Sequence, residues 1–326
     1  MLRRLLQRRH LRGRAQPGPP APFVVGVGRS GTTMLRLMLD THPEMAVPPE
    51  THFVPSVIRA CKRWRVTPET LLAAIRDDRN RRWGDMGIPD DEYLQRLRTI
   101  RPLNAADALR ALYGLYAGRA GKARWGDKTP DYVKRMKMIG RILPEARFVH
   151  LIRDGRDVGL SLNTRLAKGG IKNPVPYATA AQRWQRQIGR AREHSRQLEH
   201  YLEIRYEDLV LRTEPTLRKV CQFIELDFDP AMLSYHERAE KRLTELARDL
   251  PARDGKPARP GEERLEAHAL TREPPRRSRV GAWREKLSAE EVADFEAVAD
   301  GLLSKLGYPV GERQQATSAI LSDPRH

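Results

Sequence analysis

A glycine-rich segment at residues 23–33 constrains the fold of this 326-residue chain more than any other feature. Its sequence, Phe-Val-Val-Gly-Val-Gly-Arg-Ser-Gly-Thr-Thr, joins a short apolar run to a stretch whose apolar residues recur at helical spacing. This pattern predicts a buried strand over 23–27, a tight turn made by the glycines, and a helix over 32–40. Unpaired backbone N–H groups and the positive end of the helix dipole favour an anion at the start of such a helix. The segment therefore predicts a phosphate-binding loop.

The position of the cation distinguishes this loop from the loop of nucleotide triphosphatases. The spacing from Gly26 to Gly31 matches the opening of a Walker A loop, but Thr32 stands where those proteins need a lysine. Arg29 lies inside the loop instead, where its planar guanidinium can bind the terminal group of a ligand. An ordinary glycine turn between a core strand and a helix is the structural alternative.

The loop, read as Gly-x-Gly-Arg-Ser-Gly-Thr-Thr-Met-Leu, resembles the 5'-phosphosulfate-binding loop of sulfotransferases that use 3'-phosphoadenosine 5'-phosphosulfate (PAPS). It is most similar to the branch that contains the tyrosylprotein sulfotransferases and bacterial sulfotransferases. The resemblance implies transfer of a sulfuryl group from PAPS to an acceptor hydroxyl. It also implies that the 5' side of PAPS is bound by six loop residues, namely Gly28, Arg29, Ser30, Gly31, Thr32 and Thr33.

A second segment resembles the 3'-phosphate-binding element of the same family. Arg153 follows a predicted strand over 146–152, at the sheet edge where α/β proteins bind ligands, and Ser161 lies on the second turn of the next helix. The resemblance implies that both residues bind the 3'-phosphate, the arginine through paired hydrogen bonds. A helix start with solvated charges, or a poor Walker B strand, is the alternative for this block.

The third element is the basic segment at 276–284, which ends in Gly-Ala-Trp-Arg. The resemblance implies that Arg277 and Ser278 complete the 3'-phosphate site, and that Trp283 and Tyr206 also belong to the cofactor-binding residues. Ser278 replaces the glycine of the cytosolic branch, so the main-chain contact of that branch is not implied here. An isolated basic loop is the alternative.

Sulfuryl transfer needs a cation that neutralises developing charge and a base that accepts the proton of the acceptor. Lys128, in Gly-Asp-Lys-Thr-Pro, matches the transition-state lysine of the tyrosylprotein branch, and Arg29 is assigned with it as catalytic. Glu50, in Pro-Pro-Glu-Thr, resembles the catalytic carboxylate of that branch. Cytosolic sulfotransferases use a histidine instead, which makes His52 the rival base. A solvated loop lysine is the alternative for Lys128.

The charge of the chain indicates an anionic partner. The net charge is +18, and a polyanionic cofactor, a membrane surface or a nucleic acid would each satisfy it. Aromatic residues make up only 6% and are not interleaved with basic runs, which argues against nucleic acid. The nine histidines form no spaced set, so no metal is predicted. Two distant cysteines are typical of buried thiols in a reducing compartment.

The order of predicted elements indicates one α/β domain over residues 23–310. Strands alternate with helices, which predicts a three-layer P-loop-like fold with a central parallel sheet covered on both faces. We expect a helical cap insertion over about 52–121 and a flexible lid over 239–279, where no apolar period is visible. A basic flexible arm at 1–22 and a disordered tail at 311–326 would flank the domain.

Local signals refine this order. Residues 131–143 predict one helix, residues 288–306 predict another that ends at Gly307, and Thr213 predicts the N-cap of a third. Aromatic residues of the cap region can line an acceptor pocket, but scattered aromatics more often fill a core. They are Trp64, Trp83, Tyr113 and Tyr116.

The sequence contains no signal peptide pattern and no apolar run of membrane-spanning length, so we expect a cytoplasmic protein. Its basic N-terminus allows weak peripheral membrane contact. The expected acceptor is a hydroxyl of a small molecule, lipid or glycan, with a peptide tyrosine as second choice. A P-loop nucleotide kinase or triphosphatase, and a non-catalytic RNA-binding or membrane-binding protein, are the alternative functions.

Overall fold

The computed structural model describes residues 17–62, 66–77, 81–250, 252 and 258–311. Most of the predicted basic arm, the tail after residue 311 and Trp64 therefore lie outside the described residues. Within the described ranges the chain forms an α/β fold, as its sequence predicts.

In this part of the chain, four parallel strands form the central sheet in the order β4-β1-β5-β6. A separate parallel pair is formed by β2 and β3. β1 begins at Ala21, two residues before its predicted start, because Ala21 and Pro22 already pair with β5. The predicted arm at 1–22 thus overlaps the sheet. The strands are β1 (Ala21–Gly26), β2 (Met45–Ala46), β3 (Arg124–Trp125), β4 (Asp127–Lys128), β5 (Ala146–Ile152) and β6 (Tyr201–Arg205).

Apolar side chains of β1 are buried on both faces of the sheet, because successive residues of a strand point to opposite sides. Phe23 and Val25 belong to one hydrophobic core, and Val24 belongs to another. In register, Phe23 lies opposite Phe148 of β5. This burial on two faces confirms the predicted parallel sheet covered by helices on both sides.

Helices surround the sheet and bring the remaining apolar residues to these cores. The helices of the described residues are α1 (Thr32–Thr41), α2 (Val54–Cys61), α3 (Pro68–Arg76), α4 (Asp90–Thr99), α5 (Ala105–Arg119), α6 (Met136–Ile142), α7 (Gly155–Lys168), α8 (Tyr177–Ser195), α9 (Tyr206–Leu211), α10 (Thr213–Phe223), α11 (Tyr235–Leu243), α12 (Gly261–Glu266), α13 (Trp283–Lys286) and α14 (Ala289–Lys305).

The region expected to form a cap contains α2 to α5, and its aromatic residues fill a core. Trp83, Tyr113 and Tyr116 are buried in the same hydrophobic cluster as Phe23. The prediction that these aromatics are core residues is confirmed. The assignment of residues 52–121 as an insertion stays a prediction.

Two local expectations differ from the structure. Residues 131–143 form a 3₁₀ turn, Pro130–Lys134, and then α6, because Arg135 between them is not helical, with φ −129° and ψ 0°. The N-cap of α10 is Arg212 rather than Thr213. The Thr213 hydroxyl donates backwards to the Val210 carbonyl at 3.4 Å and is not used as a cap.

The segment expected to be an irregular lid also contains helices. It includes most of α11 and all of α12, with short 3₁₀ turns at Thr244–Leu246, Ala269–Arg272 and Arg277–Arg279. Ala239, Leu243 and Leu246 recur at helical spacing and are buried, which is the apolar period that the charged composition concealed. Flexibility of this segment stays a prediction.

Both cysteines are buried free thiols, as predicted. Burial raises the pKa of the Cys61 thiol to about 12 and that of Cys221 to about 11. Neither thiol is therefore ionised near neutral pH, and both act as small apolar side chains.

Candidate active site

A cavity of about 510 Å³ lies where β1, β4 and β5 end, at the edge where α/β sheets bind ligands. This volume is typical of small-molecule sites. One wall is the loop after β1, and a second wall is formed by Glu50 and Lys128. Residues of α7 and of the lid segment form the remaining walls, including Arg165 and His268. The predicted loop residues and catalytic residues therefore share one cavity.

The predicted phosphate-binding loop has a left-handed backbone at two residues. Arg29 has φ 76° and Gly31 has φ 90°, and a Cβ on Gly31 would lie 2.5 Å from the Tyr206 ring, so only glycine fits there. The left-handed conformation of Arg29 is strained by about 1–2 kcal/mol, and such strain often marks functional loops. The N-cap of α1, Gly31, provides no side-chain hydrogen bond, and no acidic residue lies in the first turn. The first N–H groups of α1 thus remain available to an anion.

Five of the six predicted loop residues line the cavity. They are Gly28, Arg29, Gly31, Thr32 and Thr33. Ser30 does not, because its side chain is fully buried behind the loop, where its hydroxyl has no hydrogen-bond partner among the described residues.

The second predicted element converges on the same loop. Arg29 Nε donates to Ser161 Oγ at 3.2 Å, although the two residues are far apart in the sequence. One Arg153 Nη donates to the Arg29 carbonyl at 3.2 Å, and its guanidinium lies 4.3 Å over the Tyr206 ring. Burial, together with the charges of Arg165, Arg153 and Arg279, lowers the pKa of Arg29 to about 10. These cations repel one another, and a bound anion would relieve that repulsion.

The third predicted element is placed differently. Arg277 and Ser278 are exposed and do not line the cavity, whereas Arg276 and Arg279 do. The Arg279 carbonyl accepts a hydrogen bond from Arg153 at 2.7 Å. Residues 277–279 form a 3₁₀ turn. Arg276 and Arg279, which flank Arg277 and Ser278 in the sequence, therefore reach the cavity.

Trp283 is buried behind the cavity wall and does not line the cavity. It is fully buried, its backbone N–H donates to Asp157 Oδ1 at 3.0 Å, and its ring lies 3.6 Å from the Arg156 guanidinium. Asp157 also accepts from the Gly281 N–H at 2.9 Å. Trp283 therefore fixes the 276–284 segment to α7.

Glu50 lies between the predicted lysine and the rival base. Lys128 Nζ is 2.9 Å from Glu50 Oε1 and 3.3 Å from Thr33 Oγ1, and His52 Nε2 is 2.9 Å from Glu50 Oε2. Burial opposes ionisation of Glu50, but the Lys128 charge and the His52 hydrogen bond outweigh it and hold the pKa of Glu50 well below its usual range. Burial lowers the pKa of Lys128, although Glu50 opposes this effect. The carboxylate is therefore ionised and can accept a proton.

A buried hydrogen-bond network joins the segment that carries Glu50 to the segment that carries Lys128. Thr51 Oγ1 donates to Asp127 Oδ2 at 2.7 Å, and the Thr51 N–H donates to Thr129 Oγ1 at 3.0 Å. Tyr113 OH donates to the same Asp127 oxygen at 2.8 Å. Burial raises the pKa of Asp127, while the hydrogen bonds from Thr51 and Tyr113 oppose this shift. The network fixes the separation of the two catalytic candidates.

Replacing Thr51 by valine is expected to destabilise the protein by about 1–3 kcal/mol, because the shape is kept while the buried donor is lost. Thermal or urea unfolding measures this effect. Thr99→Val, which removes an exposed hydroxyl bonded to the Arg96 carbonyl, is the control and should change stability little. Equal stability of Thr51→Val and wild type would show that the network contributes nothing to the fold.

Sequence analysis missed several residues that line the cavity, among them Arg165, His268, Arg276 and Arg279. His268 lies in the lid segment, and burial together with the Lys128 charge lowers its pKa to about 3. Its imidazole is therefore neutral near physiological pH. No sequence signal indicates His268, because it belongs to no motif. Arg165 follows Ser161 by one helical turn, and this spacing is the signal that could have found it.

Among the described residues, no group of three or more His, Cys, Asp or Glu side chains is placed to hold a metal ion. A search of the same residues finds no helix with the length and apolar character needed to cross a membrane.

Comparison with known proteins identifies relatives of this protein. The model of the sulfotransferase family matches residues 20–230. The protein-tyrosine sulfotransferase of Drosophila melanogaster is 25% identical over 224 residues, which cover 68% of this chain and 41% of that protein. Protein-tyrosine sulfotransferase 1 of Danio rerio is 24% identical over 219 residues, which cover 67% of this chain and 56% of that protein. The chain spans about half the length of these curated relatives.

Two solved structures show the same fold. The sulfotransferase domain from the curacin biosynthetic pathway has a TM-score of 0.56 at 20% identity, covering 90% of this chain and 100% of that domain. The sulfotransferase domain from the Synechococcus olefin synthase has a TM-score of 0.56 at 24% identity, covering 92% of this chain and 98% of that domain. The P-loop-like fold expected from the sequence is thereby confirmed. Because the family model matches more than half of its residues, the chain belongs to the sulfotransferase family.

Proposed function

We propose that this protein transfers a sulfuryl group from PAPS to an acceptor hydroxyl. The observation that carries the proposal is the contact of Lys128 with both Glu50 and Thr33, which places an ammonium, a carboxylate and the phosphate-binding loop together. A sulfuryl transferase needs these three functions at one point: a site for the anion, a cation at the departing oxygen and a base at the acceptor.

The residues present fit the two anionic ends of PAPS. The open N–H groups of α1 and the half-buried Arg29 suit the 5'-phosphosulfate. Arg153 and Arg279, which meet at the far side of the loop, suit the 3'-phosphate, and Ser161 can donate a hydrogen bond to it. Arg276 and Arg279 take the place that the sequence assigned to Arg277 and Ser278.

The reaction that this site supports is a single in-line displacement. The acceptor oxygen forms a bond to sulfur while the bond from sulfur to the phosphate oxygen breaks, and the electron pair of that bond stays on the departing phosphate. Lys128 and Arg29 neutralise the negative charge that accumulates there. Glu50 takes the proton of the acceptor hydroxyl, and His52, bonded to the other Glu50 oxygen, orients the carboxylate.

The acceptor is a hydroxyl of a small molecule, lipid or glycan, with a peptide tyrosine as the second candidate. The curated relatives are protein-tyrosine sulfotransferases, which favours the peptide. The cavity volume of about 510 Å³ favours a small group that enters beside the nucleotide. Transfer of labelled sulfate from PAPS to each class in turn, followed by mass analysis of the products, tests this assignment.

Thermal unfolding with nucleotides separates the proposal from the alternatives. PAPS, or its product 3'-phosphoadenosine 5'-phosphate (PAP), should raise the melting temperature, because a ligand that binds only the folded state stabilises it. ATP with magnesium should have little effect. A shift with ATP and magnesium but none with PAPS or PAP would indicate a nucleotide kinase or triphosphatase. If neither nucleotide raises the melting temperature, the result would support a non-catalytic protein whose positive charge binds RNA or a membrane.

Arg153→Ala is expected to weaken PAP binding by about 2 kcal/mol, or roughly 30-fold in the dissociation constant, because a charge-assisted contact to phosphate is lost. Ser161→Ala should have a smaller effect. Calorimetric titration with PAP measures both. Arg141→Ala, an exposed arginine of α6, is the control. Equal PAP affinity in Arg153→Ala and wild type would remove Arg153 from the nucleotide site.

A further inference from the structure

A second cluster of arginines lines the cavity away from the phosphate-binding loop. Its members are Arg82, Arg165, Arg259 and Arg264, which we call the lid arginine cluster. Arg82 directly precedes the 3₁₀ turn Trp83–Met86, Arg165 lies on α7, and Arg259 and Arg264 belong to the lid segment. Three separate parts of the chain therefore bring positive charge to one place.

Within the described ranges, too few carboxylates lie near this cluster to neutralise it. The buried Asp85 is shared by three arginines, at 2.5 Å from Arg264, 3.3 Å from Arg82 and 3.5 Å from Arg248. Among the residues that the structure describes, Arg259 forms an ion pair only with Glu263, at 3.8 Å. The Nε of Arg82 is buried and has no hydrogen-bond partner among the described residues. The cluster therefore has a surplus of positive charge.

The pKa of Arg259 reflects charge repulsion within the cluster. Burial, followed by the charge of Arg165 and those of Arg82 and Arg264, lowers the pKa of this guanidinium, and Glu263 offsets only part of the effect. A ligand of opposite charge would relieve this repulsion, which makes the cluster a candidate anion site.

The nucleotide does not account for the cluster. In the proposed function, its anionic groups are already matched by Arg29, Arg153 and Arg279. Lys128 and Glu50 lie at the reacting centre. The lid arginine cluster is contributed mainly by the cap region and the lid, which are the walls that remain for the acceptor.

We propose that the acceptor is itself an anion, and that the lid arginine cluster binds its carboxylate or phosphate group while its hydroxyl reaches Glu50. The inference rests on the proposed function and names the substrate class of the same site. Arginine suits this role because its planar donors match two oxygens of a carboxylate or phosphate at once.

Burial favours a small anionic group over a polyanionic surface. The Arg264 side chain is only 3% exposed and that of Arg82 15% exposed, so neither can lie flat against a membrane or a nucleic acid. A single carboxylate or phosphate carried on a narrow molecule can reach them inside the cavity. Leu270, exposed and part of the lining, provides an apolar contact at the lid for the rest of the acceptor.

A matched pair of phenols tests the inference. The acid 4-hydroxyphenylacetate and the neutral 4-hydroxyphenylacetamide have the same size and carry the same phenol, and differ only in charge. Each is titrated by calorimetry into the PAP-bound protein, and sulfate transfer from labelled PAPS is measured in parallel. We expect the acid to bind about tenfold more tightly or better, as expected for hydrogen bonds to a charged group.

Two variants test whether the preference for the acid over the amide comes from the lid arginine cluster. Arg259→Gln and Arg165→Gln should each bring the affinity ratio of acid to amide close to one. PAP affinity should not change in Arg259→Gln, whereas Arg165→Gln is expected to alter it as well, because the Arg165 charge acts on Arg29. The control, Arg272→Gln, removes an exposed lid arginine that does not line the cavity, and should keep the wild-type ratio. Equal binding of acid and amide, binding of neither, or an unchanged ratio in both variants would overturn the inference.

The same experiment keeps this inference separate from the proposed function. Preference for the acid without any sulfate transfer supports the anion site and contradicts the transfer reaction. Sulfate transfer at equal rates to acid and amide supports the reaction and contradicts the anion site. Failure of PAP to bind contradicts the proposed function directly.

Discussion

Replacing Lys128 by methionine is expected to lower the turnover number by about 10²- to 10³-fold, because the variant loses the cation that stabilises charge on the departing oxygen. Methionine keeps most of the buried volume. The Glu50 carboxylate would also lose the charge that lowers its pKa, so that pKa rises. Ionised Glu50 is lost as the pH falls through its pKa, so the acid limb of the rate profile should move to higher pH.

Steady-state kinetics from pH 4 to pH 8 measure both effects in one series. Lys305→Met, at the exposed end of α14, is the control for replacing a lysine by methionine and should behave as wild type. PAP titration should show at most a small loss of affinity in Lys128→Met. A normal turnover number with an unshifted pH profile would mean that Lys128 neither contacts the departing oxygen nor controls the ionisation of Glu50.

Glu50→Gln should reduce turnover by roughly 10²-fold or more, while PAP affinity changes little, because glutamine keeps the size but cannot accept a proton. The loss should be smaller for a nitrophenol, whose low pKa lessens its need for a base. His52→Ala should have a milder effect, since His52 only hydrogen-bonds to the Glu50 carboxylate.

Glu44→Gln, an exposed carboxylate that precedes Glu50 in the same segment, is the matched control. If Glu50→Gln turns over normally and His52→Ala is inactive, the base is His52 and the site works like the cytosolic branch. If both variants are active, neither residue is the base. Only a large loss in Glu50→Gln with a partial loss in His52→Ala agrees with the geometry.

The residues that we propose bind the nucleotide could largely be placed together in the fold from the sequence. The loop after β1 and the arginine after β5 were found because each lies directly after a buried strand, and turn chemistry and apolar spacing act over a few residues. Arg29, Arg153 and Ser161 do meet in the structure. Their roles in binding PAPS stay predictions until the titrations are made.

Errors of the sequence analysis came mainly at the ends of helices, which local sequence signals place least precisely. The Arg135 N–H donates to the Tyr132 carbonyl at 2.7 Å, and Arg212 has φ −135° and ψ 56°. In both places one non-helical residue overrides the local helix signals. In the 276–284 segment, a basic run contains several equivalent arginines. The 3₁₀ turn at Arg277–Arg279 decides which of their side chains reach the cavity.

The local sequence established that this chain forms strands with a glycine-rich turn after β1 and an arginine after β5, because those features depend on neighbouring residues. The tertiary structure alone decided that Thr51 is bonded to Asp127, that Asp85 serves three arginines, and that His268 faces the cavity. These contacts join residues far apart in the sequence, and no local pattern encodes the distance between them. Packing of the cap region and lid against the sheet sets those distances, so these walls of the cavity emerge only from the folded chain.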